Sequence, residues 1–224
     1  MVETLSLSEL FERDGHVLRE SSSTRPRIFV VEEEGTRVVI KDFTPNGFFF
    51  RNIIGRFLIW REAKAYRKMQ GLRGIPKFYR IINGLAIVVQ EIQGKPLERV
   101  KEGHLLPDGF IDILKSLIDE VHKRGIAHCD LKRAGNIILG DDGMPYIIDW
   151  GASIFDSEFG LPLLKAVYRR FVLDDNMAIV KLKLRYARDT VTDEDMARYS
   201  HRSKAEKLVR KVRDNLRNIL KLIA

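Results

Sequence analysis

The sequence predicts an α+β fold of two lobes, a β-rich N-terminal lobe followed by a small helical C-terminal lobe. Two patterns and the length lead to this prediction. Up to about residue 92 the chain alternates short β-branched runs with turn residues, and beyond it the apolar residues recur at helical spacing. The length of 224 residues suits two small lobes better than an array of domains. We therefore expect an N-terminal lobe over 1–92 and a C-terminal lobe over 93–224.

The N-terminal lobe is expected to contain two hairpins with one helix between them. The first hairpin joins Ile28–Val31 to Thr36–Phe43 through an acidic turn that ends in a glycine. A helical stretch follows over 48–70, and glycines and a proline stop it. The second hairpin turns at Asn83-Gly84, because both residues tolerate the left-handed backbone conformation of a two-residue turn.

The C-terminal lobe is expected to be mostly helical. Gly109–Arg124 places its apolar residues on one helix face, and one hairpin follows over 137–148. The last stretch, Arg202–Ala224, holds eight Lys or Arg residues and two acids beside an apolar stripe, which predicts a basic amphipathic helix. Such a helix either packs on its lobe or lies on anionic lipid, and we expect packing.

Composition limits the class of protein. Lys and Arg number 39 and Asp and Glu 31, so the net charge is +8. This surplus favours polyanionic partners such as nucleotide phosphates, nucleic acid or an anionic membrane surface. We expect no nucleic-acid partner, because the sequence contains no helix-turn-helix or base-stacking motif. A single cysteine, Cys129, excludes a disulfide framework, and no signal peptide or membrane-spanning run is visible. We expect a cytoplasmic protein, with peripheral attachment to the inner face of a membrane as an alternative.

The residues with the clearest chemistry lie in His128–Asn136 and, thirteen residues after Asn136, in Asp149-Trp150-Gly151. Transfer of a phosphoryl group requires metal ligands, cations near the phosphates and a carboxylate near the attacking hydroxyl. Asn136 and Asp149 offer the hard oxygen ligands that Mg²⁺ prefers. Asp130 can accept the proton of an acceptor hydroxyl, and Lys132 can stabilise the transferred group.

This segment resembles the catalytic loop and metal-binding triplet of the protein-kinase superfamily, and the resemblance extends over 28–153. It implies a two-lobed protein-kinase-like fold that binds ATP with Mg²⁺ and transfers the γ-phosphoryl group to a hydroxyl. Lys41, which ends Val39-Ile40-Lys41, is similar to the lysine that pairs with the α- and β-phosphates. Glu62, 21 residues later, is similar to its ion-pair partner, and Glu91 and Ile92 fall where the adenine-binding hinge belongs.

The catalytic loop departs from the family pattern in two ways. Asn136 follows Asp130 by six residues where the family has five, so one extra residue lies within 133–135. Cys129 replaces an arginine that reads a phosphorylated activation loop, and no A-P-E triplet follows. These features predict activity without activation-loop phosphorylation. His128 resembles the structural histidine of the family's loop, so we expect a scaffold role for it and not that of a base.

The phosphate-covering loop is also altered, because no G-x-G-x-x-G sequence precedes the first hairpin. Ser22, Ser23 and Arg25 occupy its place. We expect the hydroxyls, the backbone N–H groups and the guanidinium of these residues to lie over the phosphates of ATP. An exposed loop without ligand contact is the alternative.

The short C-terminal lobe, the missing activation segment and the altered phosphate loop resemble the atypical kinases. Two groups fit this description: the RIO-type protein kinases, and the bacterial lipopolysaccharide-core and Kdo sugar kinases. A Ser/Thr hydroxyl of a protein is the favoured acceptor, and a lipopolysaccharide-core or other sugar is the alternative. A pseudokinase that keeps the fold without turnover is the rival from another class. The presence of all five residues of the implied site argues against it: Lys41, Glu62, Asp130, Asn136 and Asp149.

Overall fold

The structure is a computed structural model and describes residues 9–10, 15–33, 35–101, 106–158 and 162–200. The helix expected over 202–224 lies outside these residues. The described residues form two compact units. One contains the chain up to Ala63 together with Lys77–Glu91, and the other contains Lys64–Pro76 and residues 92–200.

A five-stranded antiparallel sheet forms the framework of the first unit. Its strands are β1 (Gly15–Arg19), β2 (Arg27–Glu33), β3 (Thr36–Asp42), β4 (Phe78–Ile82) and β5 (Ala86–Gln90). Their order across the sheet is β1-β2-β3-β5-β4. Because successive side chains alternate between the two faces of a strand, one face of the sheet collects the apolar residues. That buried cluster consists of Leu10, Phe29, Val31, Val38, Ile40, Ile82, Ala86 and Val88.

The turn between β4 and β5 has the geometry that the sequence predicts. Asn83 has a φ of 51° and Gly84 a φ of 69°, so both central residues are left-handed. This is the pattern of a two-residue type I′ turn, whose twist matches that of the flanking strands. The N–H of Leu85 donates to the carbonyl of Ile82 and closes the turn.

The helical stretch that the sequence predicts after β3 is present, but it is not one continuous α-helix. It consists of an α-helical turn at Phe48–Phe50, a π-helical segment at Arg51–Gly55 and helix α1 (Arg56–Lys68). A Cβ added at Gly55 would lie 3.0 Å from the Cβ of Phe43, so glycine allows this segment to approach the end of β3. Periodicity does not reveal a π-helical segment, because such a segment shifts the apolar pattern by only part of a turn.

The second unit combines helices with two small sheets. Its longer elements are β6 (Gly94–Pro96), α2 (Phe110–Lys123), β8 (Ile137–Gly140), β9 (Pro145–Ile147), α3 (Pro162–Tyr186) and α4 (Asp193–Ser200). Strands β6, β8 and β9 form one sheet, and the short strands β7 (Ile126–Ala127) and β10 (Ile154–Phe155) form another. The sequence did not predict β6, because three residues are too few to show an alternating pattern. No helix among the described residues is both long and apolar enough to cross a membrane.

Candidate active site

In the first unit the structure brings Lys41 and Glu62 into an ion pair. Lys41 lies on the face of β3 opposite the apolar cluster, because its neighbours Ile40 and Asp42 both point into the interior. Glu62 lies on the buried face of α1. The Nζ of Lys41 is 2.6 Å from Oε1 of Glu62, and both side chains are mostly buried. Removal of one partner of such a pair leaves an uncompensated charge, which costs about 3–5 kcal/mol.

The loop that carries Ser22, Ser23 and Arg25 is a closed turn. The N–H of Ser22 donates to the carbonyl of Arg25, and the N–H of Arg25 donates to the carbonyl of Ser22. These two N–H groups are therefore engaged within the turn. The groups on this loop that stay predicted to contact the phosphates of ATP are the hydroxyls of Ser22 and Ser23 and the Arg25 guanidinium.

Asn46 fixes this turn, a role that the sequence gave no reason to expect. Its side chain is buried, and its Nδ2 donates to the carbonyls of Ser22 at 2.6 Å and Arg25 at 3.1 Å. The same nitrogen lies 3.3 Å from the carbonyl of Ser23. The amide nitrogen of Asn46 thus contacts three backbone carbonyls of the turn. In the sequence Asn46 was visible only as a turn residue between a proline and a glycine.

Glu91 and Ile92, the residues of the implied adenine hinge, follow directly after β5. The N–H of Glu91 donates to the carbonyl of Arg37, which extends the pairing of β3 with β5 by one residue. Its carboxylate forms an ion pair with Arg37, with 2.6 Å between Oε2 and Nε. The backbone of Glu91 is thereby fixed in position at the end of the strand. Ile92 is half-buried and is the first residue of the second unit after β5.

In the second unit the loop after β7 is built around His128. Its side chain is buried, and its Nε2 lies 2.9 Å from the carbonyl of Ile148. Its Nδ1 lies 3.2 Å from the backbone N–H of Asp130 and accepts that hydrogen bond. Both contacts are satisfied by a neutral ring with its proton on Nε2. Trp150 packs against the ring with 4.5 Å between centroids, so His128 is a scaffold residue here.

Asp175 holds the same loop from helix α3, and the sequence analysis missed it. Its Oδ2 accepts a hydrogen bond from the N–H of His128 at 2.7 Å, and its Oδ1 accepts one from the N–H of Cys129 at 3.0 Å. Its Oδ2 also lies 3.2 Å from Nε2 of His122. Cys129 has a φ of 69°, a conformation that needs such support in a residue other than glycine. In the sequence Asp175 is visible only as one of two adjacent aspartates in a helix that also contains several lysines and arginines.

Asp130 and Asn136 are in direct contact across this loop. The Nδ2 of Asn136 donates to the backbone carbonyl of Asp130 at 3.1 Å and lies 3.5 Å from its Oδ2. Arg133, which is largely exposed, places its Nε 3.2 Å from the same carboxylate oxygen. Lys132 lies at the exposed turn between them. The carboxylate of Asp130 is thus close to the Asn136 amide and the Arg133 guanidinium, and Lys132 and Arg133 are exposed to solvent.

The extra residue between Asp130 and Asn136 is absorbed by a single 3₁₀ turn. Ala134–Asn136 forms this turn, and the N–H of Asn136 donates to the carbonyl of Arg133 at 2.9 Å. A Cβ added at Gly135 would lie 2.6 Å from Oε2 of Glu98, so a larger residue here would require the exposed Glu98 side chain to move. The departure from the usual spacing therefore changes the local backbone and leaves Asn136 in contact with Asp130.

The hairpin of β8 and β9 explains the interval between Asn136 and Asp149. Ile137 pairs with Ile147, so the residue before β8 and the residues after β9 lie at the same end of the hairpin. The N–H of Ile148 donates to the carbonyl of Asn136 at 2.9 Å, directly before Asp149. Asp149 itself has a φ of 66° and precedes the 3₁₀ turn Trp150–Ala152. Thirteen residues are thus the length of one short hairpin.

The donor atoms fit a magnesium ion. Among the described residues, no group of three or more His, Cys, Asp or Glu side chains could hold a metal ion without other ligands. Magnesium usually takes one or two protein oxygens together with waters and substrate phosphates. Since Nδ2 of Asn136 is engaged by Asp130, Oδ1 is the atom of this amide that can coordinate a cation. Asn136 and Asp149 stay the predicted protein ligands of such a site.

The buried Lys41–Glu62 pair in one unit and the His128 loop with its hairpin in the other define a protein-kinase-like protein. The sequence model of the RIO domain matches residues 50–161, half of the chain. The chain belongs to the RIO domain family, which confirms the resemblance to the RIO-type atypical kinases.

Two comparisons with known proteins agree with this placement. A structure described as the Rio2 kinase–ADP/Mg²⁺–phosphoaspartate complex from Chaetomium thermophilum is similar with a TM-score of 0.56. The match is 17% identical and covers 90% of this chain and 69% of that one, which confirms the two-lobed kinase-like α+β fold. The dual specificity protein kinase zak2 from Dictyostelium discoideum is 30% identical over 132 residues. That match covers 58% of this chain, and the chain spans about a fifth (19%) of the length of that curated relative.

Proposed function

We propose that this protein is a kinase that uses ATP and Mg²⁺ to phosphorylate a hydroxyl group. One observation carries the proposal: Asn136 joins Asp130 through its side chain and joins the strand end before Asp149 through its backbone. A proton acceptor and two metal ligands are thereby built into one loop and one hairpin. Phosphoryl transfer relies on such positioning, because it demands little covalent chemistry from the protein.

We assign the roles in the second unit as follows. The Oδ2 of Asp130 orients the acceptor hydroxyl and takes its proton as the oxygen attacks the γ-phosphorus. The exposed ammonium group of Lys132 stabilises the charge of the transferred group. Asn136 and Asp149 would hold Mg²⁺, which would offset the charge of the phosphates. Membership of the RIO domain family supports these roles, since its model covers all four residues.

The first unit is proposed to hold the rest of ATP. Lys41, oriented by Glu62, pairs with the α- and β-phosphates. The turn held by Asn46 presents the hydroxyls of Ser22 and Ser23 and the Arg25 guanidinium to the phosphates. Glu91 and Ile92 contact the adenine through their backbone groups. The boundary between the two lobes is proposed to lie at this hinge.

A protein Ser or Thr hydroxyl is the acceptor that we favour. A structure with a similar fold is described as a Rio2 kinase, and the similar zak2 is a dual specificity protein kinase by name. A lipopolysaccharide-core or other sugar is the alternative, because the chemistry assigned to Asp130 and Lys132 applies to any alcohol. We place the protein in the cytoplasm. A pseudokinase is disfavoured by the buried Lys41–Glu62 pair, which costs desolvation without an evident structural need.

A second candidate acceptor is a carboxylate of the protein itself. The similar Rio2 kinase structure is described as a phosphoaspartate complex. In this chain the carboxylate oxygen would attack the γ-phosphorus, ADP would leave, and water would later release the phosphate as inorganic phosphate. The net reaction would be ATP hydrolysis and not transfer to another molecule.

The test is an assay with γ-labelled ATP and Mg²⁺, in which protein, lipopolysaccharide-core and small-sugar acceptors are compared. We expect label on protein Ser or Thr, stable to hydroxylamine and absent with Asp130→Asn. Label on a sugar would select the alternative acceptor. Label on the enzyme that hydroxylamine removes, together with release of phosphate, would select the aspartyl phosphate. Absence of any Mg²⁺-dependent turnover would contradict the proposed function.

A further inference from the structure

The helical stretch before Glu62 has an apolar outer face. Phe49, Ile53, Phe57 and Trp60 are spaced by four, four and three residues, which places them on one side. All four side chains and the neighbouring Phe48 are largely exposed, with Phe49 at 70%. We call these five residues the aromatic face: Phe48, Phe49, Ile53, Phe57 and Trp60.

This exposure is concentrated and not scattered. Eleven large hydrophobic side chains are exposed among the described residues, and five of them lie within the thirteen residues 48–60. All the exposed aromatic ones are in the aromatic face. The opposite side of the same helical stretch is also apolar, since Phe50, Ile59 and Ala63 are buried. A helix that only covers a core has a polar outer surface, so a second apolar face indicates a further contact.

The charged residues within this helical stretch have a single sign. Between Phe43 and Glu62 the sequence contains Arg51, Arg56 and Arg61 and no acidic residue. The guanidinium of Arg51 lies 5.7 Å from the ring centre of Phe48, and that of Arg61 lies 5.5 Å from the ring centre of Phe57. Guanidinium groups beside the rings can bind phosphate oxygens in pairs of hydrogen bonds while the rings enter an apolar layer.

We propose that the aromatic face binds the interfacial region of an anionic lipid bilayer. Phenylalanine and tryptophan with flanking arginines are the composition of helices that lie in the plane of a membrane interface. A second copy of this chain is disfavoured as the occupant, because it would bring three more arginines against these three. The stretch 202–224 is disfavoured for the same reason, since it holds eight basic and two acidic residues. This attachment is independent of the proposed kinase function.

The two tryptophans of the chain make the proposal measurable without any substitution. Trp60 is 49% exposed in the aromatic face, whereas Trp150 is fully buried in the second unit. The stretch 202–224 contains no tryptophan and so adds no emission of its own. A change in tryptophan emission on lipid binding therefore reports on the aromatic face.

The experiment mixes the full chain with vesicles of phosphatidylcholine, with and without phosphatidylglycerol, and records tryptophan emission and co-sedimentation. We expect a blue shift and quenching by brominated lipid with the anionic vesicles only, weakened by added salt. Trp60→Phe should remove the emission change and retain co-sedimentation. The double variant Phe49→Gln/Phe57→Gln should bind about tenfold more weakly or worse. Leu173→Gln, at an exposed leucine outside the face, is the matched control and should bind as the wild type does.

Four results would overturn the proposal. Co-sedimentation without any change in Trp60 emission would assign attachment to another segment, as would unchanged binding of the double variant. Self-association that the double variant abolishes, without vesicle binding, would identify a second copy as the occupant. Failure to bind vesicles together with capture of an acidic protein would identify a protein partner. Thermal unfolding followed by circular dichroism checks that each variant is folded.

Discussion

The carboxylate of Asp175 accepts a hydrogen bond of 2.7 Å from the backbone N–H of His128, 47 residues earlier in the chain. With its second oxygen it also holds the N–H of Cys129. A charged acceptor in the buried side of a helix thus fixes the backbone that presents Asp130. The geometry of the loop depends on α3 as much as on its own residues.

Asp175→Ala should therefore destabilise the protein and lower turnover together. It leaves two backbone N–H groups without their acceptor, which we expect to reduce the free energy of unfolding by about 3 kcal/mol. Urea unfolding and the rate of ATP turnover measure the two effects. Asp174→Ala is the matched control, because the pair of Asp174 with Arg170 is a partly exposed (i, i+4) pair and its loss should cost about 1 kcal/mol or less. Equal stability of the two variants would contradict the role given to Asp175.

Asp130→Asn should lower turnover by about 10²–10⁴ and leave nucleotide affinity nearly unchanged. The amide has nearly the same shape as the carboxylate but cannot accept the proton of the acceptor hydroxyl. Steady-state kinetics and equilibrium binding of ATP measure the two quantities. Arg133→Gln serves as the control, because this exposed cation touches Asp130 but has no assigned chemistry. Lost ATP binding with normal turnover at saturation would refute the role of Asp130.

Much of this architecture could be predicted from the sequence because turns and helices depend mainly on residues that are close together in the chain. The turn at Asn83-Gly84 and the apolar period of α2 each follow from a few neighbouring residues. The ion pair of Lys41 with Glu62 could be expected only from the order of motifs, since 21 residues separate the two.

Other features could not be predicted because distant residues decide them. Asn46 gathers three carbonyls of a turn more than 20 residues earlier, and Asp175 reaches a loop more than 40 residues earlier. Neither residue type signals such a contact in the sequence. Strand β6 exists because Gly94 pairs with Gly140, and a Cβ at Gly94 would collide with the carbonyl of Leu139.

The enzyme should be active without phosphorylation of the segment after Gly151. The described part of this segment is already ordered, since Ile154 and Phe155 pair with β7 and Asp156–Glu158 forms a 3₁₀ turn. Cys129 has no positive charge with which to bind a phosphorylated residue of this segment. Protein treated with a phosphatase should keep its full turnover, with untreated protein as the control. Loss of activity together with a phosphorylation site mapped between Gly151 and Leu161 would contradict this expectation.

Stability should fall at alkaline pH through Tyr168. Burial, with the nearby carboxylates of Asp156 and Asp175, raises the pKa of Tyr168 from 10.0 to about 12. Above the ordinary value the unfolded chain loses this proton while the folded chain keeps it. The stabilisation is therefore fully present below about pH 10 and is lost as the pH rises towards 12.

Urea unfolding at several values between about pH 9 and about pH 11 measures this dependence. The free energy of unfolding should decline over this range, and the decline should be shallower in Tyr168→Phe, which has no group to ionise. The same decline in the variant and the wild type would show that Tyr168 is not its source.

The most direct test of the account is ATP turnover by Asp149→Asn as the Mg²⁺ concentration is varied. The variant keeps the shape of the side chain and loses the negative charge of the carboxylate, which we propose binds the metal. Asp141→Asn, an exposed aspartate in the turn of the same hairpin, is the matched control. The account predicts that Asp149→Asn is folded but has no Mg²⁺-dependent turnover, whereas Asp141→Asn behaves as the wild type does. Unchanged turnover of Asp149→Asn with a normal Mg²⁺ dependence would contradict it.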